Sequence, residues 1–425
     1  MTFCGLPFLT VLRIHSGMAW RFDKAIIRGE LDNTERGRLQ LRLEIVGYHE
    51  PICLDLIGDA WRDVAGSRLS FVNPSPEPQA PMPPFLALQA GVVGDVTASR
   101  KVRVFTVPQD EWLVAYQEDR IQDVPTEWRN SLYLEWFTPA YGRCLVESAD
   151  FEIIVHEHAW EMDEDEEAAQ KMANMHAMRE YLADVIQRKE SSDDEDEEEE
   201  SFTEEAWEEE LKASDRLDDA NIEAIDKYEE DEDQEEKIAF VMGWDHMIED
   251  MADAQEGIEP SENDSEEKKR RREWVEAMNA AATEDPLKFE DEDHEAVADH
   301  PLVVRANDFI HRILDEMEEA GISDERGESP EHPLDRFISN SMNIMGKLAG
   351  ALSGRRRSDI EVEAGYILAI AKRCLNWANE ALSATQDLMA DPEYSLHHEM
   401  IEGWRAELFG LREGLTDLRQ ELRDV

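Results

Sequence analysis

The chain has 425 residues, with 100 Asp and Glu against 43 Lys and Arg and a formal net charge of −57 at pH 7. That length exceeds what one core usually serves and allows two to four domains. So much negative charge argues against direct contact with DNA, RNA or anionic membrane, and no run of about 18 apolar residues offers a spanning helix.

Cys4, Cys53, Cys144 and Cys374 lack the paired spacing of a disulfide framework or zinc ribbon and read as buried thiols in a reducing compartment, the cytoplasm. The charge is unevenly placed. Residues 157–300 hold 55 acidic and 14 basic residues, whereas residues 18–156 hold 21 and 14, and residues 301–425 hold 24 and 14. A salt-adapted protein would spread acid over every surface; this one concentrates it between two ordinary regions.

In residues 1–17 a short apolar run has no basic residue before it and no small-residue cleavage site after it. Met18, ahead of Ala19, Trp20, Arg21 and Phe22, reads as the start of the folded protein, and residues 1–17 as a disordered tail or a mis-assigned start. Residues 18–157 are rich in strand signals. Leu39, Leu41, Leu43 and Ile45 alternate with Arg38, Gln40, Arg42 and Glu44, the period of a strand with one wet face. Turn chemistry at Asp32 and Asn33 joins this strand to residues 23–28 as a hairpin. Further strands are predicted at 52–57, 68–72, 92–97 and 101–107, with a helix at 109–120, a hairpin of 132–137 with 143–147, and a last strand at 151–156. The proline-rich stretch 74–84 has too few backbone donors to join a sheet and reads as a stiff surface loop. About eight short strands without a βαβ rhythm predict an antiparallel barrel or sandwich.

The stretches W-R-F-D-K-A-I-I-R-G-E-L-D-N from Trp20, R-D-V-A-G from Arg62 to Gly66, and S-L-Y-L-E-W-F from Ser131 resemble the amino-terminal domain of a group of uncharacterised bacterial proteins. The resemblance covers about the first 160 residues. It implies a folded domain and no particular chemistry.

Residues 158–300 are expected to form an acidic, partly disordered helical linker. Residues 168–189 have helical apolar spacing behind an acidic first turn, which suits the helix dipole. Asp193, Asp194, Glu195, Asp196, Glu197, Glu198, Glu199 and Glu200 form the densest acidic tract, with no apolar residue to offset the entropy of ordering. Weak helix is expected over 204–228. A methionine-rich helix is expected over 237–251, packing on the carboxyl-terminal helices or docking in a partner's groove. Lys268, Lys269, Arg270, Arg271 and Arg272 form a basic run flanked by glutamates, and read as a helix with i, i+4 charge pairs rather than a nucleic-acid site.

Residues 301–425 are expected to form an antiparallel four-helix bundle, with helices at 302–320, 334–352, from a cap at Ser358 and Asp359 to about 389, and a last one. In the last helix Ile401, Trp404, Leu408, Leu411, Leu415, Leu418 and Leu422 recur at alternating intervals of three and four. Such a seam packs within the chain as a monomer or against a second copy as a homodimer.

Candidate chemistry is sparse. His156 and His158 could share one face of a strand, and Asp308 with His311, like Glu393 with His397, has the spacing of half of a di-metal carboxylate site without its complement. Phosphate-binding, nucleophile-elbow and metalloprotease motifs are missing from the sequence. The expected function is therefore a noncatalytic adaptor or scaffold without cofactor, engaging a basic protein surface through residues 193–200. A nucleic-acid-mimicking inhibitor and a metal-dependent enzyme using His156, His158, Asp308 or His311 are the alternatives.

Overall fold

The computed structural model describes residues 19–79, 82–108, 112, 115, 120–187, 203–256, 269, 300–322, 332–353, 360 and 363–423. These are mixed α and β and divide into two compact units. Described residues up to 187, with 216–252, form a sheet unit; residues 203–215, with those from 253 onward, form a helical unit.

Among the described residues there are nine strands: β1 (Ala19–Arg21), β2 (Ile26–Asp32), β3 (Arg38–Ile45), β4 (Ile52–Ile57), β5 (Arg68–Val72), β6 (Leu88–Phe105), β7 (Thr126–Thr138), β8 (Gly142–Ser148) and β9 (Glu152–Val155). They form one sheet in the order β1-β8-β7-β6-β4-β3-β2-β5-β9. The hairpin of β2 and β3 is antiparallel, as its turn chemistry requires, and Leu39, Leu41, Leu43 and Ile45 all point into the core. The expected barrel or sandwich is instead a sheet whose outermost strands, β1 and β9, do not pair with each other. Two pairings, β1 with β8 and β4 with β6, are parallel. The second has a topological cause: after β4 the chain crosses to β5 beside β2, and the proline-rich segment carries it back to enter β6 in the direction of β4.

The two strands expected at 92–97 and 101–107 are one 18-residue strand, β6, whose register with β7 shifts between Val93 and Val96 and between Thr97 and Arg100. Asp63 anchors the second shift, accepting the Ala98 N–H at 2.8 Å and the Thr97 hydroxyl at 2.9 Å. Of the helix expected at 109–120, only Trp112, Ala115 and Arg120 fall within the described residues; the first two are helical.

One sheet face buries a core that includes Phe22, Leu41, Leu54, Phe71, Trp136 and Phe151. The opposite face, over β6 to β8, is covered by helices. α1 (Glu164–Ile186) begins with a capping box, in which Asp163 accepts the Glu166 N–H at 2.8 Å and Glu166 accepts the Asp163 N–H at 3.1 Å. α2 (Glu204–Tyr228) lends its second half to this unit, and α3 (Gln234–Met242) packs on α1. Phe137, Met178, Leu182, Ala220, Ala224, Tyr228, Val241 and Met242 form this second apolar layer. As a result Ser131 to Thr138 are buried on both faces of β7.

The single helix expected at 237–251 is two, because Gly243 takes a left-handed conformation (φ 64°) at the end of α3 and α4 (Asp245–Glu256) starts afresh. Val241 and Met242 are buried in the sheet unit, whereas Met247, Ile248 and Met251 on α4 stay partly exposed. The helices expected within 204–228 and 237–251 are present, but Ala220, Glu223, Ala224 and Lys227 of α2 are buried rather than held in a solvated linker. Residues 1–18, the tract 193–200 and all of the basic run except Lys269 lie outside the described residues.

In the helical unit, α5 (Pro301–Ala320), α6 (Pro333–Leu352), α7 (Ala364–Ala390) and α8 (His398–Arg423) share a core. α5 and α6 start alike. His300 and His332 each accept, at Nδ1, the N–H of the leucine two residues on at 3.2 Å, with proline at the first helical position. The seven seam residues of α8 are all buried in the chain's own core, where Trp404 stacks on Phe337 at 4.9 Å and donates to Glu316 at 2.7 Å. Burying seven such side chains is worth roughly 10–20 kcal/mol before entropy is counted. The first half of α2 belongs to this unit as well: Glu204 pairs with Arg419 and Arg423, Glu208 with Lys372, and Asp215 with Arg373. The cap predicted at Ser358 and Asp359 lies outside the described residues.

Candidate functional site

The wet face of the sheet carries an open cavity of about 940 Å³, lined among others by Glu30, Arg42, Cys53, Asp55, Arg68 and His156. Strand alternation builds it. The registers place Leu88, Cys53, Arg42, Glu30, Ser70 and Ile154 in one row across six strands, and Ala90, Asp55, Gln40, Asp32 and Arg68 in the next. Charges on this face are matched across strands. Arg28 holds both carboxylate oxygens of Glu44 at 2.8 Å, Arg38 holds those of Asp55 at 2.6 and 2.7 Å, and Arg68 meets Asp32 at 2.8 Å. The Arg38 guanidinium keeps the Asp55 carboxyl below its ordinary range. The floor thus presents fixed donors and acceptors with little net charge, between the exposed apolar side chains of Leu88 and Ile154.

Farther along the same sheet face, over β6 to β8 and beneath the helices, lies a different constellation. Glu135, between Leu134 and Trp136 on β7, is fully buried. It accepts Arg143 Nε at 2.6 Å, the Asp95 N–H at 2.9 Å and Lys227 Nζ. Lys227 also reaches Asp95 at 3.0 Å, Arg143 also donates to Glu223, and Arg21 reaches Glu223 at 3.1 Å. Glu223 and Lys227 stand four apart on α2, so one helix face delivers both to the sheet. α1 extends the network, with Asn174 donating to Asp95 at 3.0 Å and Gln170 to Asn174 at 2.8 Å.

Burial alone would raise the Glu135 pKa, but Lys227 and Arg143 outweigh it and hold the carboxyl down at about 2. Burial likewise disfavours charged Lys227, yet Asp95 and Glu135 keep its pKa well above the usual lysine range. Each charged group here is met by an opposite charge, so the network fixes where α2 docks on the sheet.

The residues singled out in the sequence fall elsewhere. His156 is exposed at the end of β9 beside the cavity, and His158 places Nδ1 2.5 Å from the carbonyl of Ala65. Asp308 and His311 are exposed on α5, in the other unit. Among the described residues no three His, Cys, Asp or Glu side chains are grouped to hold a metal. Glu135, Arg143, Glu223 and Lys227 were missed. Their signal was a charged residue inside the apolar run S-L-Y-L-E-W-F, which only a buried partner can accommodate, and a Glu–Lys pair at helical spacing beside small alanines. No helix among the described residues is long and apolar enough to cross a membrane. Comparison of the chain with protein-family models, with curated proteins and with solved structures gives no match.

Proposed function

We propose that the protein is a noncatalytic adaptor that engages a basic protein surface in the cytoplasm through its acidic middle third. The observation carrying this reading is how charge is spent in the helical layer of the sheet unit. Lys227 is buried among carboxylates, Arg179 pairs with Asp245, and Lys237 pairs with Asp231 and Asp233. Acidic residues outnumber these cations and stay in solvent: Glu180, Asp184, Asp218, Glu232, Glu235 and Glu236 are all exposed. The layer therefore faces solvent with surplus negative charge, and the tract 193–200, outside the described residues, carries eight further carboxylates in the sequence. Such a surface speeds encounter with a cationic partner and selects against an anionic one. The wet sheet face and the antiparallel bundle of carboxyl-terminal helices are the two modules the adaptor brings together.

The test is binding of a histone-type basic protein to the full chain and to a variant with residues 193–200 replaced by Asn and Gln. At about 50 mM salt the variant is expected to bind at least about tenfold more weakly. Equal binding by the two chains refutes the assignment of the partner site to that tract.

A further inference from the structure

β9 is an outermost strand, and among the described residues its outer edge pairs with no other strand. The His156 N–H donates to the Arg68 carbonyl at 2.8 Å, and the antiparallel register sets Ile154 opposite Ser70. Residues 152, 154 and 156 therefore direct their backbone groups toward β5, which leaves the N–H and C=O of Ile153 and Val155 directed outward. The edge carries none of the lysines or prolines that blunt exposed strands, and Ile154 and Val155 are 61% and 41% exposed.

We infer that this edge pairs with the same edge of a second copy of the chain, antiparallel, about a two-fold axis at Ile154. Ile153 of each copy then exchanges two backbone hydrogen bonds with Val155 of the other, and Ile154 meets Ile154 in the closer, non-hydrogen-bonded pairing. Glu152 falls opposite His156, so the strand is complementary to itself: carboxylate against imidazole on both sides of an apolar centre. A foreign basic strand would satisfy Glu152 but set a cation against His156. The interface is small, below the roughly 1,200 Å² of stable complexes, which makes the dimer weak and reversible. Two chains of −57 repel, so added salt strengthens it. That is opposite in sign to the basic-partner interaction proposed above, on which this inference does not depend.

Sedimentation equilibrium of the full chain over a range of concentrations tests it. The average mass is expected to climb from 48.9 kDa toward twice that value, with association at least about threefold tighter at about 300 than about 50 mM salt. Val155→Pro deletes an outward N–H and spares the inward ladder, so it abolishes association while far-UV circular dichroism stays unchanged. Glu152→Lys weakens association, and adding His156→Glu to it restores association. A monomer at every concentration and salt, or association that survives Val155→Pro and ignores the charge exchange, overturns the inference.

Discussion

Replacing Lys227 by methionine removes one of the two cations that face Glu135, at nearly constant side-chain volume. Its cost follows from the site. Lys227 and Arg143 hold the Glu135 carboxyl well below the ordinary glutamate range despite its burial, so its ionised form contributes to folding at neutral pH. Deleting one member of a buried ion pair costs about 3–5 kcal/mol by general experience, because the remaining charge stays buried. At 2–4 °C per kcal/mol for a domain of this size, the sheet unit should melt roughly 6–20 °C lower. Calorimetry of the full chain reads the shift, and hydrogen exchange assigns it, with β7 and the second half of α2 losing protection while α5 to α8 keep theirs. Adding Glu135→Gln to Lys227→Met should cost less than the sum of the two by at least about 1 kcal/mol, since the first change relieves what the second leaves unpaired. A loss under about 1 kcal/mol, or strict additivity, would show that water reaches these charges and refute the burial argument.

The same carboxyl sets an acid limit: its folded pKa is depressed, so its contribution is complete above pH 4.5 and lost as pH falls toward 2, which urea titrations across that window measure. His300 acts at milder pH. Burial holds its imidazole below the ordinary 6.5 against a weaker upward pull from Glu421, so the cap on α5 is intact above pH 6.5 and is lost as pH falls through the depressed pKa; His300→Asp should flatten that dependence in urea melts across the acid range. Burial also raises the thiols of Cys144 and Cys374 to about 12, so a maleimide applied to native protein should modify half-buried Cys53 at the cavity and spare those two until the chain unfolds, as peptide mapping will show. Gly66 has φ 74°, and a methyl group there would collide with the Trp160 carbonyl; Gly66→Ala should destabilise the sheet unit by at least about 2 kcal/mol in a urea melt.

Much of this architecture was legible because side-chain period follows burial. The alternation from Leu39 to Ile45 located a strand, and the seam from Ile401 to Leu422 located a helix whose seven apolar residues are buried together. Strand partners were less legible. Nothing local to residues 52–57 says that β4 runs parallel to a strand beginning at Leu88, since that pairing depends on where β5 inserts. In the acidic centre the helices were legible but the docking of the one over 204–228 was not, since charge density argues for a solvated linker only if the charges stay in solvent. Glu223 and Lys227 instead face Arg143 and Glu135 from sequence separations of 80 and 92 residues. Gly243, inside a continuous methionine pattern, carried a stop signal that periodicity alone overrode.

The salt dependence of binding to a basic protein tests the functional proposal most directly. If the acidic middle third is the contact surface, the logarithm of Kd should rise steadily with the logarithm of salt concentration, and the slope should fall when residues 193–200 are neutralised. A Kd that is flat with salt, or a slope identical in the neutralised variant, would contradict it.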